Sequence, residues 1–321
     1  MKRKEIICIL GGSGFVGTEL CSRLAREGYQ VKVLSRGMSS SRHLRVLPGL
    51  TVCDVQSYSK ESIAKHLPGC CVLVNLVGIL NECKNNGEEF HQVHVGITRA
   101  ALQACEQTGV KRLLQLSALN ADPEGPSYYL QTKGKAENYL LSFSGGTINV
   151  SIFKPSVIFG AGDNFLNRFA RLIKLTPAIF PLACADTRFA PVYVGDVVNC
   201  MVDAIRHPSI SDTVDNLCGP REYSLKELVE YTAELCGAKC KVLALPRLLA
   251  KTQAFILNYV PGKPFSIDNY NSLKVDSICK QGEHCKTALE AIAPTYLTNS
   301  RALNLDRLRN RRPAPNDTPP C

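Results

Sequence analysis

No stretch of this chain approaches the roughly 18 consecutive apolar residues of a membrane-crossing helix, which argues against a helical integral membrane protein. No Cys-x-x-Cys pair occurs among the 15 cysteines, so neither a zinc ribbon nor a dithiol redox motif is present. The odd, scattered count points instead to free thiols in a reducing cytosol, with Cys8 and Cys71 in apolar runs acting as small hydrophobes. Cys279, His284 and Cys285 form the single metal-like grouping; they read as a solvated loop, and no metal is expected. No repeat of roughly 20 to 50 residues is visible, which excludes solenoids and propellers. No nucleic-acid motif accompanies the net charge of +10, and the basic residues are spread along the chain. An anionic cofactor, an anionic membrane surface or an acidic protein partner is left to account for that charge. A glycine loop stands where the apolar core of a signal peptide would lie, so the expected location is cytoplasmic, with a peripheral place on the inner membrane as its extension.

What the sequence does contain is organised around Ile6-Ile7-Cys8-Ile9-Leu10-Gly11-Gly12-Ser13-Gly14-Phe15-Val16-Gly17. A short apolar run reads as a buried strand, and residues 18–26 beyond the loop carry a helical apolar period. Gly11, Gly14 and Gly17 are spaced three apart between them. Strand, tight glycine turn and helix N-terminus together make a seat for a dinucleotide pyrophosphate. A second alternating strand, Gln30 to Ser35, ends in Ser35-Arg36. A carboxylate there would hold the ribose hydroxyls of NAD; an arginine suits a 2′-phosphate, so NADP(H) is preferred and NAD(H) is the alternative.

Further strands read at 50–54, 70–76, 111–116 and 147–153, and helices at 60–67, 88–108 and from Ser127 onward. Strands alternating with helices predict an α/β fold, a doubly wound parallel Rossmann sheet, with a small, mainly helical C-terminal lobe. The expected division is 1–160 with 190–218 for the Rossmann domain and 161–189 with 219–300 for the lobe. A basic, proline-rich tail over 301–321 is expected to be disordered. Helix starts read at Asp163, at the capping box Ser224/Glu227 and at a second box, Thr287/Glu290. Residues 246–260 read as a helix whose apolar stripe, including Leu248, Phe255 and Ile256, packs on the lobe. The alternative is that this stripe and the basic tail dock on a membrane-associated complex.

Tyr129 and Lys133 lie four apart, on one helix face, and Ser117 at a strand end precedes the tyrosine by twelve positions. Carbonyl reduction needs this set: a hydroxyl to hold the oxygen, a phenol to transfer the proton, and an ammonium to lower the phenol pKa from about 10. At this point the chain resembles the short-chain dehydrogenase/reductase superfamily, of the extended or atypical type. Val74–Leu80, Leu116–Ala121, Lys154–Gly160 and Pro191–Val197 extend the likeness to one branch. That branch holds the nucleotide-binding accessory subunit of respiratory complex I and its free-standing bacterial relatives.

The resemblance implies roles residue by residue. Gly11, Gly12, Ser13, Gly14, Phe15 and Gly17 would surround the pyrophosphate, with Ser35 and Arg36 at the 2′-phosphate. Asp54 and Val55 would meet the adenine, and Asn75, Val77 and Gly78 would pass the linking ribose. Ser117, Tyr129 and Lys133 would line the nicotinamide pocket, closed by Pro155, Ser156 and Val157. His94 stands where extended members carry a water-positioning asparagine, and it reads as a core histidine. The implied function is an NADP(H)-binding protein of the complex I accessory type; the alternative is a free-standing NADPH-dependent reductase or epimerase. The implied partners are the dinucleotide and respiratory complex I or another membrane-associated complex, with no nucleic acid.

Overall fold

In the computed structural model the described residues are 5–37, 39, 41–143, 146–176, 178–207, 213–260, 263–280 and 285–298. The expectations for the basic tail and for His284 lie outside them.

The chain begins β1 (Ile6–Leu10), α1 (Phe15–Arg26), β2 (Gln30–Ser35), β3 (Leu50–Asp54), α2 (Lys60–His66) and β4 (Cys70–Asn75). A helical stretch follows in three parts: α3 (Glu88–Phe90), a π-helical turn (His91–Gly96) and α4 (Ile97–Thr108). Then come β5 (Arg112–Leu116), α5 (Tyr128–Leu141), β6 (Asn149–Pro155) and β7 (Ile158–Phe159). The second half has α6 (Leu166–Leu175), β8 (Ile179–Leu182), β9 (Arg188–Phe189), β10 (Val192–Tyr193), α7 (Val194–Arg206) and β11 (Thr213–Leu217). It closes with β12 (Tyr223–Ser224), α8 (Leu225–Leu235), β13 (Lys241–Ala244), α9 (Arg247–Leu257), α10 (Ile267–Ser272) and α11 (Leu289–Leu297).

Seven strands form one sheet in the order β11-β6-β5-β4-β1-β2-β3, and every pairing in it is parallel. The side chains of β1 explain why its sequence is apolar without alternation. Ile7 and Ile9 enter a core with Leu20 and Leu24 of α1 and Met201 of α7. Cys8 and Leu10 enter the opposite core with Ile63 of α2 and Leu102 of α4. Both faces of the strand are covered, as parallel sheets require. A third core, with Phe159, Ile173, Phe180, Leu228 and Ala293, gathers α6, α8 and α11.

Several expectations need correction. The helix over 88–108 is one helical run interrupted by the π-helical turn that carries His94. The Ser224/Glu227 capping box is present. The Thr287/Glu290 box is not: Thr287 gives its backbone N–H and its hydroxyl to the Asp196 carboxylate, so it fastens α11's approach to α7. A box not anticipated caps α10, between Ser266 and Asn269. Not all the thiols are free: Cys218 and Cys279 are joined by a disulfide spanning 61 residues. Cys279 is thereby removed from any metal-like set, and the described residues contain no cluster that could hold a metal. The stripe of α9 does not pack inward: Phe255 is 53% exposed and Ile256 60%, while Ala250 and Ala254 form the buried side. No helix among the described residues is long and apolar enough to cross a membrane.

Candidate functional site

The carboxyl ends of β1, β2, β4, β5 and β6 all open on one edge of the sheet, where ligands of such folds bind. At β1's end Gly11 takes φ +77°, which a side chain would strain. A Cβ on Gly17 would stand 2.4 Å from the Gly11 carbonyl oxygen, so only glycine lets α1 come this close to the turn. Gly14 precedes α1 without any side-chain cap, and the helix N-terminus keeps its first N–H groups for an anion. Ser13 lies within this turn, Gly12 packs on Val33, and the Phe15 ring lies against Gly160.

At β2's end Arg36 is exposed and its guanidinium sits 5.3 Å over the Tyr58 ring, whose hydroxyl donates to the Leu34 carbonyl. Ser35 is buried, and Ser41 donates to its hydroxyl at 2.6 Å. The Val55 N–H donates to the Ser35 carbonyl, which brings β3's end, with exposed Asp54, alongside. At β4's end Asn75 is buried: its amide donates to Gln115, and its oxygen accepts from the Val77 N–H. That brace shapes the turn to Gly78, where a Cβ would lie 3.3 Å from Lys133 Nζ and 3.6 Å from His94 Nε2.

Ser117, Tyr129 and Lys133 therefore stand by the same edge as the glycine turn. Ser127 caps α5, accepting from the Leu130 N–H. Asp268 of α10 accepts from the Tyr128 and Tyr129 N–H groups at 2.7 and 3.2 Å, so a distant segment also satisfies this helix start. Lys133 donates to the Leu116 carbonyl at 3.1 Å, and burial pulls its pKa down to about 8. The tyrosine departs from expectation. Burial, with the Asp268 and Glu137 carboxylates behind it, pushes its pKa up to about 12, so in the ligand-free chain the phenol stays protonated.

One neighbour, Glu137, has no place in the sequence reading, and another, His94, takes the core position read for it. Glu137 lies one turn beyond Lys133, buried, and accepts a short hydrogen bond from the Ser117 hydroxyl. Its other oxygen meets Lys154 Nζ at 2.7 Å. The i, i+4 spacing from Lys133 was the available signal. His94 is the other. The Ile79 N–H donates to its Nε2, so the proton is on Nδ1, which donates to Thr132 Oγ1; that hydroxyl donates onward to the Tyr128 carbonyl. Burial and the adjacent Lys133 hold its pKa down to about 2. The ring lies edge-on to Tyr129, with centroids 5.5 Å apart. It is a satisfied core histidine in contact with the tyrosine.

Pro155 ends β6, Ser156 spends its hydroxyl on the Ser277 carbonyl at 2.6 Å, and Val157 packs toward the third core. The side chains of the latter two thus face protein, and the Ser156 N–H and Val157 carbonyl are spent on Leu217 and Val192. The segment around Ser277 is itself pinned, by the Asn120 amide donating to the Asp276 carbonyl and by the Cys218–Cys279 disulfide.

Residues 7–217 match the NAD dependent epimerase/dehydratase family. The chain is 29% identical over 288 residues to the Arabidopsis thaliana NADH dehydrogenase (ubiquinone) 1 alpha subcomplex subunit 9, mitochondrial, covering 85% of this chain and 70% of that one. The Mus musculus protein of the same name is 33% identical over 230 residues, covering 70% of this chain and 60% of that one. In structure, the chain superposes on a dTDP-glucose 4,6-dehydratase of Streptomyces venezuelae solved with NAD and TYD, with a TM-score of 0.72 at 14% identity, covering 95% of this chain and 98% of that one. The last likeness is one of fold.

Proposed function

We propose, from the premise that this chain belongs to the NAD dependent epimerase/dehydratase family, that it holds a nicotinamide dinucleotide as a binding subunit of a respiratory NADH dehydrogenase-type complex. The glycine turn of β1–α1 takes the pyrophosphate, and Ser35 and Arg36 take a 2′-phosphate, so NADP(H) is preferred to NAD(H). Asp54 and Val55 flank the adenine. Gly78 and Lys133 meet the ribose, and the stretch Pro155–Val157 closes the nicotinamide end. The Rossmann part is 1–160 with 190–218; the lobe over 161–189 and 219–300 covers the nicotinamide side.

The observation that carries binding over turnover is the state of Ser117. A serine that helps reduce a carbonyl donates its hydrogen to the substrate oxygen. Here that hydrogen is held by Glu137, whose carboxylate Lys154 holds in place. The raised pKa of Tyr129, which makes its phenol a weaker proton donor, and α10 fastened over its backbone support the same reading. A second reading, a reductase or epimerase, is favoured by the assembly of Ser117, Tyr129 and Lys133 at one edge. Calorimetric titration with NADPH and NADH, followed by turnover assays with a panel of ketones, aldehydes and nucleotide sugars, separates the two. Tight NADPH binding without turnover supports the subunit; turnover lost in Tyr129→Phe supports the enzyme.

A further inference from the structure

The outward face of α9 is the largest anomaly of the surface. A helix of a globular lobe turns its apolar stripe inward. On α9 the inward side is the small pair Ala250 and Ala254, and Leu248, Leu249, Phe255 and Ile256 point to solvent. Leu248 is 78% exposed, and Tyr259, just past the helix end and edge-on to Phe255 at 5.4 Å between centroids, is 72% exposed. The patch continues beyond the helix. Gln253 donates to the Pro181 carbonyl of β8, which places α9 beside the β8–β13 pair. That pair buries Phe180, Leu182 and Val242 on one side and exposes Ile179 and Leu243 on the other.

Charge selects what covers this patch. Between Glu234 and Asp268 the chain has no Asp or Glu, and it has five cations. Four of these, Lys239, Lys241, Arg247 and Lys251, are exposed, and none joins an ion pair among the described residues. At 100° per residue Arg247 and Lys251 fall on one flank of the apolar stripe. Exposed aromatic and aliphatic side chains with a cationic flank and no anion match the interface of an anionic bilayer. An acidic protein groove would satisfy the cations but would not account for so broad an apolar face.

We propose that α9 and the adjoining β8–β13 pair form a docking surface for an anionic lipid bilayer, with Leu248, Phe255, Ile256 and Tyr259 entering the headgroup–acyl boundary and Lys241, Arg247 and Lys251 meeting lipid phosphates. The docking surface lies outside the dinucleotide site, and its failure would leave dinucleotide binding untouched, as NADPH titration of the same proteins would record.

The test is flotation of the full chain with phosphatidylcholine vesicles, with and without phosphatidylglycerol. The expected result is flotation with the anionic vesicles alone, reversed by high salt. Phe255→Ser with Ile256→Ser should weaken it by about tenfold or more, and Arg247→Glu with Lys251→Glu should do likewise. The melting temperature should stay unchanged, because these side chains are exposed. Val46→Ser, which alters another exposed apolar residue, should leave flotation intact. Absence of flotation, equal flotation with neutral vesicles, or flotation indifferent to the α9 variants would each overturn the proposal. So would concentration-dependent self-association abolished by the Phe255→Ser, Ile256→Ser protein, which would assign the patch to a second copy of the chain.

Discussion

Lys154 Nζ lies 2.7 Å from a Glu137 carboxylate oxygen, and both side chains are largely buried. The pair joins the end of β6 to the middle of α5, and the other oxygen of Glu137 holds the Ser117 hydroxyl. Burial raises the Glu137 pKa, opposed by Lys154 and the Ser117 hydrogen bond. Removing one partner leaves the other charge buried and alone. Glu137→Ala is expected to cost about 3–5 kcal/mol of stability, while Glu137→Gln with Lys154→Met should recover most of it. Denaturant unfolding of the three proteins checks this.

The proposed preference for NADP(H) rests on Arg36 at the end of β2. Arg36→Ala is expected to weaken NADPH by about 1.5–3 kcal/mol and leave NADH nearly unchanged, because only the 2′-phosphate loses a charged partner. Calorimetry with both nucleotides decides it, and an equal loss for the two would assign Arg36 another role.

His94 links folding to acid. Its pKa is about 2 in the folded chain and ordinarily 6.5, so the unfolded chain takes up the proton first. Stability from this residue is complete above about 6.5 and is lost progressively as pH falls below that value. The parent chain is expected to lose melting temperature between pH 7 and pH 5, and His94→Gln, which keeps an acceptor for the Ile79 N–H, should flatten that fall.

Lys133 has the same sign of shift in a higher window. Its pKa drops from 10.5 to about 8, so the unfolded chain binds more protons between those values and stability rises with pH across them. Lys133→Met should therefore stabilise the ligand-free chain most at and below pH 8, with the advantage shrinking above it. The same change should damage dinucleotide binding if the ammonium meets the ribose. Thermal melts across pH, with and without NADPH, separate the two effects.

The legible parts of this molecule were those specified locally. β1 and β4 are short, nearly continuous apolar runs set inside the sheet and largely buried, and β2 alternates, so their patterns mark them. The glycine turn and the α5 start carry their own signals, three glycines and Ser127. Elsewhere the information is distributed. β11, like β3 at the other side, is an edge strand, and its Asp215 and Asn216 break the apolar pattern. The π-helical turn around His94 has no distinguishing sequence. Asp268 reaches the start of α5 from 139 residues away, and the Cys218–Cys279 pairing crosses 61. The outward stripe of α9 shows the limit of periodicity: spacing identifies an apolar face but not the side on which it finds its partner.

The central claim is that this chain carries a nicotinamide dinucleotide at the carboxyl edge of its sheet. Native mass spectrometry of the gently purified protein tests it most directly. The expected result is an adduct with the mass of one NADP(H), released on denaturation and diminished in Arg36→Ala. A chain that carries no nucleotide, and binds neither NADPH nor NADH when they are supplied, would contradict it.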